Sequence, residues 1–165
     1  MWIALALLCA LFIGTGDVLS KIALRKSDEG IVGLGRLLFS IPILAGVAMV
    51  KEFPTFPPSF WWIFFFMIPF ELAAYLLYLR AIRVAPLSLT IPFLTFTPVF
   101  TIATSWILLG ERVSRTGALG IVIITTGAYL LYLETAKEGW FSPIRAIFRE
   151  RGSRYMVTAA FLYSI

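Results

Sequence analysis

The sequence predicts an all-α, polytopic membrane helix bundle with five transmembrane helices and a truncated sixth. Composition points there first: 60% of the 165 residues are hydrophobic and only 14% are charged, where ordinary soluble domains carry roughly 45–50% and about 25%. Arrangement completes the argument. The apolar residues come in blocks of about twenty, the length a helix needs to cross roughly 30 Å of hydrocarbon. None of the blocks alternates apolar with polar residues as the strands of a membrane barrel do.

The first block runs from about residue 2 to 24. It lacks a basic leading region and holds Asp17 and Lys21, so it is expected to remain as a span and not to be cleaved as a signal peptide. Further blocks cover about 31 to 50, 60 to 80, 87 to 109 and 116 to 133. The links between them are short: Arg25 to Gly30, Lys51 to Ser59 with Pro54, Pro57 and Pro58, Ala81 to Pro86, and Gly110 to Arg115. Such links make successive helices antiparallel neighbours. From Glu134 to Arg154 the chain is polar and is expected to be a basic linker, and at Tyr155 it turns apolar again. The eleven residues from Tyr155 to Ile165 are too few to cross a bilayer as a helix. They are expected to open a sixth span, and Ala159 to Ser164 repeat the small-then-bulky character of Cys9 to Gly14.

Charge sets the expected orientation. The links after the first, third and fifth spans hold Arg25, Lys26, Arg80, Arg83, Lys137, Arg145, Arg149, Arg151 and Arg154, nine in all, against Lys51, Arg112 and Arg115 on the other side. Basic residues near span ends are retained in the cytoplasm. The count therefore places the N-terminus outside and residues 134–154 in the cytoplasm, as in a multi-pass protein of the cell membrane, the inner membrane in a bacterium. The 14 Lys and Arg never form a continuous stripe, so the net charge of +5 is assigned to topology in a lipid bilayer and not to a nucleic-acid partner. With no His and a single Cys, Cys9, the Cys/His and Ser/His/Asp catalytic sets lose an essential member. Neither a metal, a cofactor nor an enzyme activity is expected.

Four groups of residues are candidates for function. Glu71 stands eleven residues into its span, roughly 16 Å deep at 1.5 Å per residue, where an acid costs about 2.5–3.5 kcal/mol to insert. It is expected to face the bundle interior or a watery cavity and to carry protons. Tyr75 and Tyr78 share roughly its face. Asp17 and Lys21, four apart, can pair on one face, and Arg36 in the second span is expected to join them in a cluster that binds an anionic group or acts as a gate. Pro92 and Pro98 free the carbonyls of Ser88 and Leu94, so the fourth span is expected to be kinked or broken, with hydroxyls of Thr90, Thr95, Thr97 and Thr101 nearby, and to mark the substrate path. Gly110 is expected to cap that span in the left-handed conformation. Gly117, Gly120 and Gly127 are expected to let the fifth helix approach a neighbour closely, another helix of the bundle or a second protomer, and Trp61, Trp62, Trp106 and Trp140 to anchor span ends.

Residues 80 to 133 carry an ordered set: Arg80-Ala81-Ile82 closing one span, Ala85-Pro86 opening the next, Pro92 and Pro98 within it, Leu109-Gly110-Glu111-Arg112, then Gly117, Gly120 and Gly127. This resembles the EamA-like family of the drug/metabolite transporter superfamily, whose repeat closes its fourth helix with a Gly-Glu pair and carries glycines through its fifth. The likeness extends to Gly14 through Lys21 and to Arg36, and so covers about residues 1 to 133. It implies that residues 1–133 form one five-helix repeat, that a full transporter has two, and that 155–165 open the second. An odd helix count inverts the second copy, as alternating access requires. The resemblance further implies a secondary transporter of small organic metabolites or drugs, proton-coupled because no nucleotide-binding loop is present. Its partners would be a small-molecule substrate and either the second repeat or a second copy in a homodimer. Many members of the family have a cytoplasmic N-terminus, opposite to the charge count. The alternative function is a non-transporting membrane scaffold or assembly subunit, which gives Glu71 no role.

Overall fold

The computed structural model describes residues 2–50, 55–136 and 140–165; Lys51, Pro54 and Lys137, used in the charge count and the link assignment, lie outside them. Among the described residues every regular element is a helix: α1 (Trp2–Ala23), α2 (Glu29–Val50), α3 (Pro58–Val84), α4 (Leu87–Leu94), α5 (Thr97–Leu109), α6 (Arg115–Ala136), α7 (Ser142–Arg149) and α8 (Arg151–Leu162). Taking α4 and α5 together, five stretches are long and apolar enough to cross a membrane. The protein is an integral, multi-pass membrane protein. It divides into two compact units, residues 1–51 and 52–165.

In the first unit, α1 and α2 are joined by the turn from Leu24 to Asp28. The Leu24 amide donates to the Ser20 carbonyl at 2.8 Å and the Ser27 amide to the Ala23 carbonyl at 3.0 Å, which ends α1. Glu29 lies in the first turn of α2, where a carboxylate favours the positive end of the helix dipole. Helix α2 therefore starts two residues before the apolar run does. Pro42 stays inside it.

The second unit is built around α8. Its buried residues, Gly152, Ser153, Met156, Ala159 and Ala160, recur at helical spacing on one face and are mostly small. That face packs on α3 and α4 and touches α5. The helix α3 contributes Ala74, Tyr78, Leu79, Ala81 and Ile82 as its buried residues. It runs on to Val84, beyond the expected end near Arg80, because long basic residues are good helix formers and the stop signal is Pro86. Ala85, before that proline, is forced out of the helical region to φ −140°, ψ 159°. Pro69 sits inside α3 without ending it.

Three contacts set the direction of α8. A Cβ on Gly152 would overlap that of Ala85 and lie 3.1 Å from Thr90 Cγ2. Further along, Phe161 meets Phe100 edge-on at 5.7 Å between centroids, and the Thr104 hydroxyl donates to the Ser164 carbonyl at 2.6 Å. Residues 152, 161 and 164 thus lie beside 90, 100 and 104 in turn. It follows that α8 runs parallel to α4 and α5 and antiparallel to α3.

Within the second unit the close helix approach occurs at Gly152, and not at the glycines of α6. Nothing lies within 4 Å of a Cβ built on Gly120 or Gly127, and Gly117 meets only Val113 and Ser114 of its own approach segment. Instead α6 contacts α4, with Tyr132 set edge-on against buried Phe93 at 5.1 Å. Between α5 and α6, Gly110 adopts φ 68°, the left-handed cap expected of it. The Glu111 amide returns to the Ser105 carbonyl at 3.4 Å. Ser114 then caps α6, its hydroxyl accepting the Gly117 amide at 3.1 Å.

Candidate functional site

The break in the fourth span falls at Thr95 and Phe96, between α4 and α5. Pro92 remains helical inside α4, while Pro98 stands in the first turn of α5, the position where a missing amide costs nothing. The amides of Thr95 and Phe96 return to the carbonyls of Pro92 and Phe93 at 3.3 and 3.2 Å, a tighter turn than the α-helix. The hydroxyls complete the repair. Thr97 donates to the Leu94 carbonyl, the one Pro98 leaves open, at 2.7 Å, and Thr95 donates to the Pro92 carbonyl at 2.6 Å. Thr90, buried, donates to the Pro86 carbonyl at 3.0 Å.

Below this break α5 presents Thr97, Thr101 and Ser105, four residues apart and hence on one face. With Pro98, Ile102, Val113 and Ile121 they line an open cleft of ≈ 300 Å³. The Thr97 and Thr101 hydrogens are spent on the carbonyls of Leu94 and Thr97, at 2.7 and 2.9 Å, so their oxygens retain acceptor capacity. Ser105 was not among the sequence candidates. Its four-residue spacing from Thr101 is the signal that would have found it.

Glu71 is the midpoint of α3, thirteen residues from Pro58 and thirteen from Val84. At 100° per residue it shares a stripe with Ala74, Tyr75, Tyr78 and Ile82. Tyr78 is buried and Tyr75 half-buried, but Glu71 is exposed. The other helices of the second unit do not enclose it. The stripe that α3 turns towards α8 at its C-terminal half leads up to Glu71 and leaves it open.

In the first unit Asp17 and Arg36 form an interhelical ion pair at 3.2 Å, with 8% and 33% of their side chains exposed. Gly16 lies beside the pair: a Cβ there would stand 3.6 Å from the Arg36 guanidinium, an ordinary van der Waals contact. Ser20, also buried, donates to the Gly16 carbonyl at 2.7 Å. Lys21, half-buried, lies one turn further along α1. The partner of Asp17 across the helices is therefore Arg36, while spacing alone had pointed first to Lys21.

A model of the EamA-like transporter family matches residues 1–133, which takes in α1 to α5 and most of α6. The chain belongs to the EamA-like transporter family. Neither a curated protein nor a solved structure gives a match. The EamA-like match spans the Asp17–Arg36 pair, the midpoint acid of α3 and the repaired break between α4 and α5. It places the chain in a family of membrane transporters.

Proposed function

We propose that the protein acts in secondary transport of a small organic metabolite or drug by alternating access, with Glu71 carrying the coupling proton. One observation carries the reading: the acid lies at the midpoint of a 27-residue span and is left open by the other helices of its own unit. Left against lipid it would cost about 2.5–3.5 kcal/mol. A facing bundle of inverted orientation, a second repeat or a second copy, removes that cost and turns the position into a cavity at the midplane, where transporters of this architecture bind their cargo. Tyr75 and Tyr78 extend the same face with ring surfaces and hydroxyls. The cleft along α5, whose exposed lining is mostly apolar, offers room to an apolar part of the cargo.

The test is solute-driven proton movement in reconstituted vesicles with a trapped pH-sensitive dye, challenged with a panel of amino acids and aromatic cations. Glu71→Gln keeps shape and hydrogen bonding but cannot ionise. A solute that moves protons with the wild-type protein should still bind the variant and move no protons. Unchanged proton movement in Glu71→Gln removes the acid from the mechanism.

A further inference from the structure

The segment between α6 and α8, expected to be a plain basic linker, contains a helix with three distinct faces. On α7, Pro143 and Ala146 are buried where it packs on α6 and α8. Ile144 and Phe148, four apart and so on one face, are 50% and 75% exposed. Arg145 and Arg149, also four apart, are exposed on the next face. Trp140 and Phe141, 70% and 74% exposed, extend the apolar face at the entrance of the helix. Arg151 and Arg154, in the first turn of α8, are exposed too. Among the described residues none of the four arginines forms an ion pair.

The depth of this segment is set by a tether. The Tyr129 hydroxyl of α6 donates to the Trp140 carbonyl, which holds Trp140 beside α6 ahead of α7. Tyr129 lies five residues inside Glu134, the end of the apolar span, or about 7.5 Å at 1.5 Å per residue. Amphipathic helices at a bilayer surface bury their apolar face about 5–10 Å into the boundary between headgroups and acyl chains. The aromatic residues therefore stand at the depth where such rings partition, and the guanidinium groups reach outward on long stems to the headgroups.

We propose that α7 is an interfacial helix that binds anionic phospholipid headgroups through Arg145 and Arg149 while Ile144 and Phe148 enter the acyl region. The membrane location of the chain is all this requires, so it stands or falls separately from the transport reading. It falls on the side that the charge count assigns to the cytoplasm, where anionic lipids draw basic segments to the surface.

The full chain with Cys9→Ser, reconstituted in vesicles of phosphatidylcholine and phosphatidylglycerol, provides the test. Nitroxide labels at Ile144→Cys and Phe148→Cys should be relaxed by oxygen, which concentrates in acyl chains. Labels at Arg145→Cys and Arg149→Cys should be relaxed by a water-soluble nickel complex. Spin-labelled phosphatidylglycerol should associate with the protein at least about fivefold more strongly than spin-labelled phosphatidylcholine, the factor expected from each arginine near an anionic surface. That preference should fall in Arg145→Gln/Arg149→Gln and with added salt. Nickel access at all four positions would overturn the proposal by placing α7 in water. Shielding of 144 and 148 from both reagents would overturn it in favour of a covering protein surface, and equal association of the two lipids would remove the headgroup specificity.

Discussion

Across α1 and α2 the helices meet through a charged pair, Asp17 with Arg36 at 3.2 Å, whereas α3, α4 and α8 meet through Gly152, Ser153, Ala159 and Ala160 set against Ala74, Ala81 and Thr90, all buried. The two regions answer one physical constraint. Lipid tails are as apolar as leucine, so burying leucine between spans gains little, and association must come from close backbone approach or from polar bonds. The exposed faces agree. Leu7, Phe12, Phe39, Ile43, Trp62 and Ile123 are all more than 60% exposed, as befits side chains whose solvent is hydrocarbon. What differs between the regions is tolerance: a packed contact fails when atoms are added, and a charged contact fails when one partner is removed.

The packed region should break most severely at Gly152. Any side chain there overlaps the Ala85 Cβ and presses on Thr90, and neither neighbour has a flexible end that can move aside. Gly152→Leu should cost about 3 kcal/mol, the upper part of the usual range for overpacking, read as resistance to unfolding in mild detergent. Gly120→Ala and Gly127→Ala have open space around the new methyl and should stay within about 0.5 kcal/mol of the parent. Equal losses at all three would mean that α8 does not occupy the groove between α3 and α4.

The charged region should respond in the opposite way, to deletion. Arg36→Met leaves the Asp17 carboxylate, 8% exposed, without its cation. The loss should be about 1–2 kcal/mol, below the 3–5 kcal/mol of a wholly buried pair, because Arg36 is only partly covered and lies seven residues from the start of α2, where a long stem carries its charge towards the membrane surface. Adding Asp17→Leu to Arg36→Met should restore most of it, since two apolar groups of similar volume satisfy one another. A double variant as unstable as the single one would show that the pair is not the contact that matters.

These differences also mark what the sequence could disclose. Spans are written coarsely, as twenty apolar residues between polar links, and the five candidate spans, the broken fourth one and the left-handed Gly110 were all legible. The candidate site was legible as residue types at depth: Glu71 at the midpoint, Pro92 and Pro98 around a break, hydroxyls beside it. Partnership was not. For Asp17 the sequence offers two cations, Lys21 at helical spacing and Arg36 in the next span, and only the structure shows that Arg36 makes the 3.2 Å interhelical pair. The same holds for α8, where Gly152, Ser153 and Ala159 look unremarkable in the chain and lie buried in the helix that packs on α3 and α4. Helix α7 escaped because eight residues with a proline and two arginines read as a linker until its faces are seen.

The smallest expected effect separates a bond made within a helix from one made between helices. Thr104 has a single hydroxyl hydrogen and three carbonyls in reach, Ser164 at 2.6 Å and its own turn's Phe100 and Thr101 at 3.1 Å each. The shortest of these bonds ties α5 to the end of α8. Interhelical hydrogen bonds in membranes average about 0.6 kcal/mol, because the separated helices also find partners. Thr104→Val, which keeps the shape and removes the hydrogen, should lose about that much stability, and Thr104→Ser should lose less. Thr101→Val is the matched comparison, since the Thr101 hydroxyl serves the Thr97 carbonyl of its own helix at 2.9 Å. Stability measured in the same detergent should be lower for Thr104→Val than for Thr101→Val. Indistinguishable values would mean that the α5–α8 contact is held by the Phe100–Phe161 rings alone, and that the second unit, like the faces of α3 and α4, depends on packing throughout.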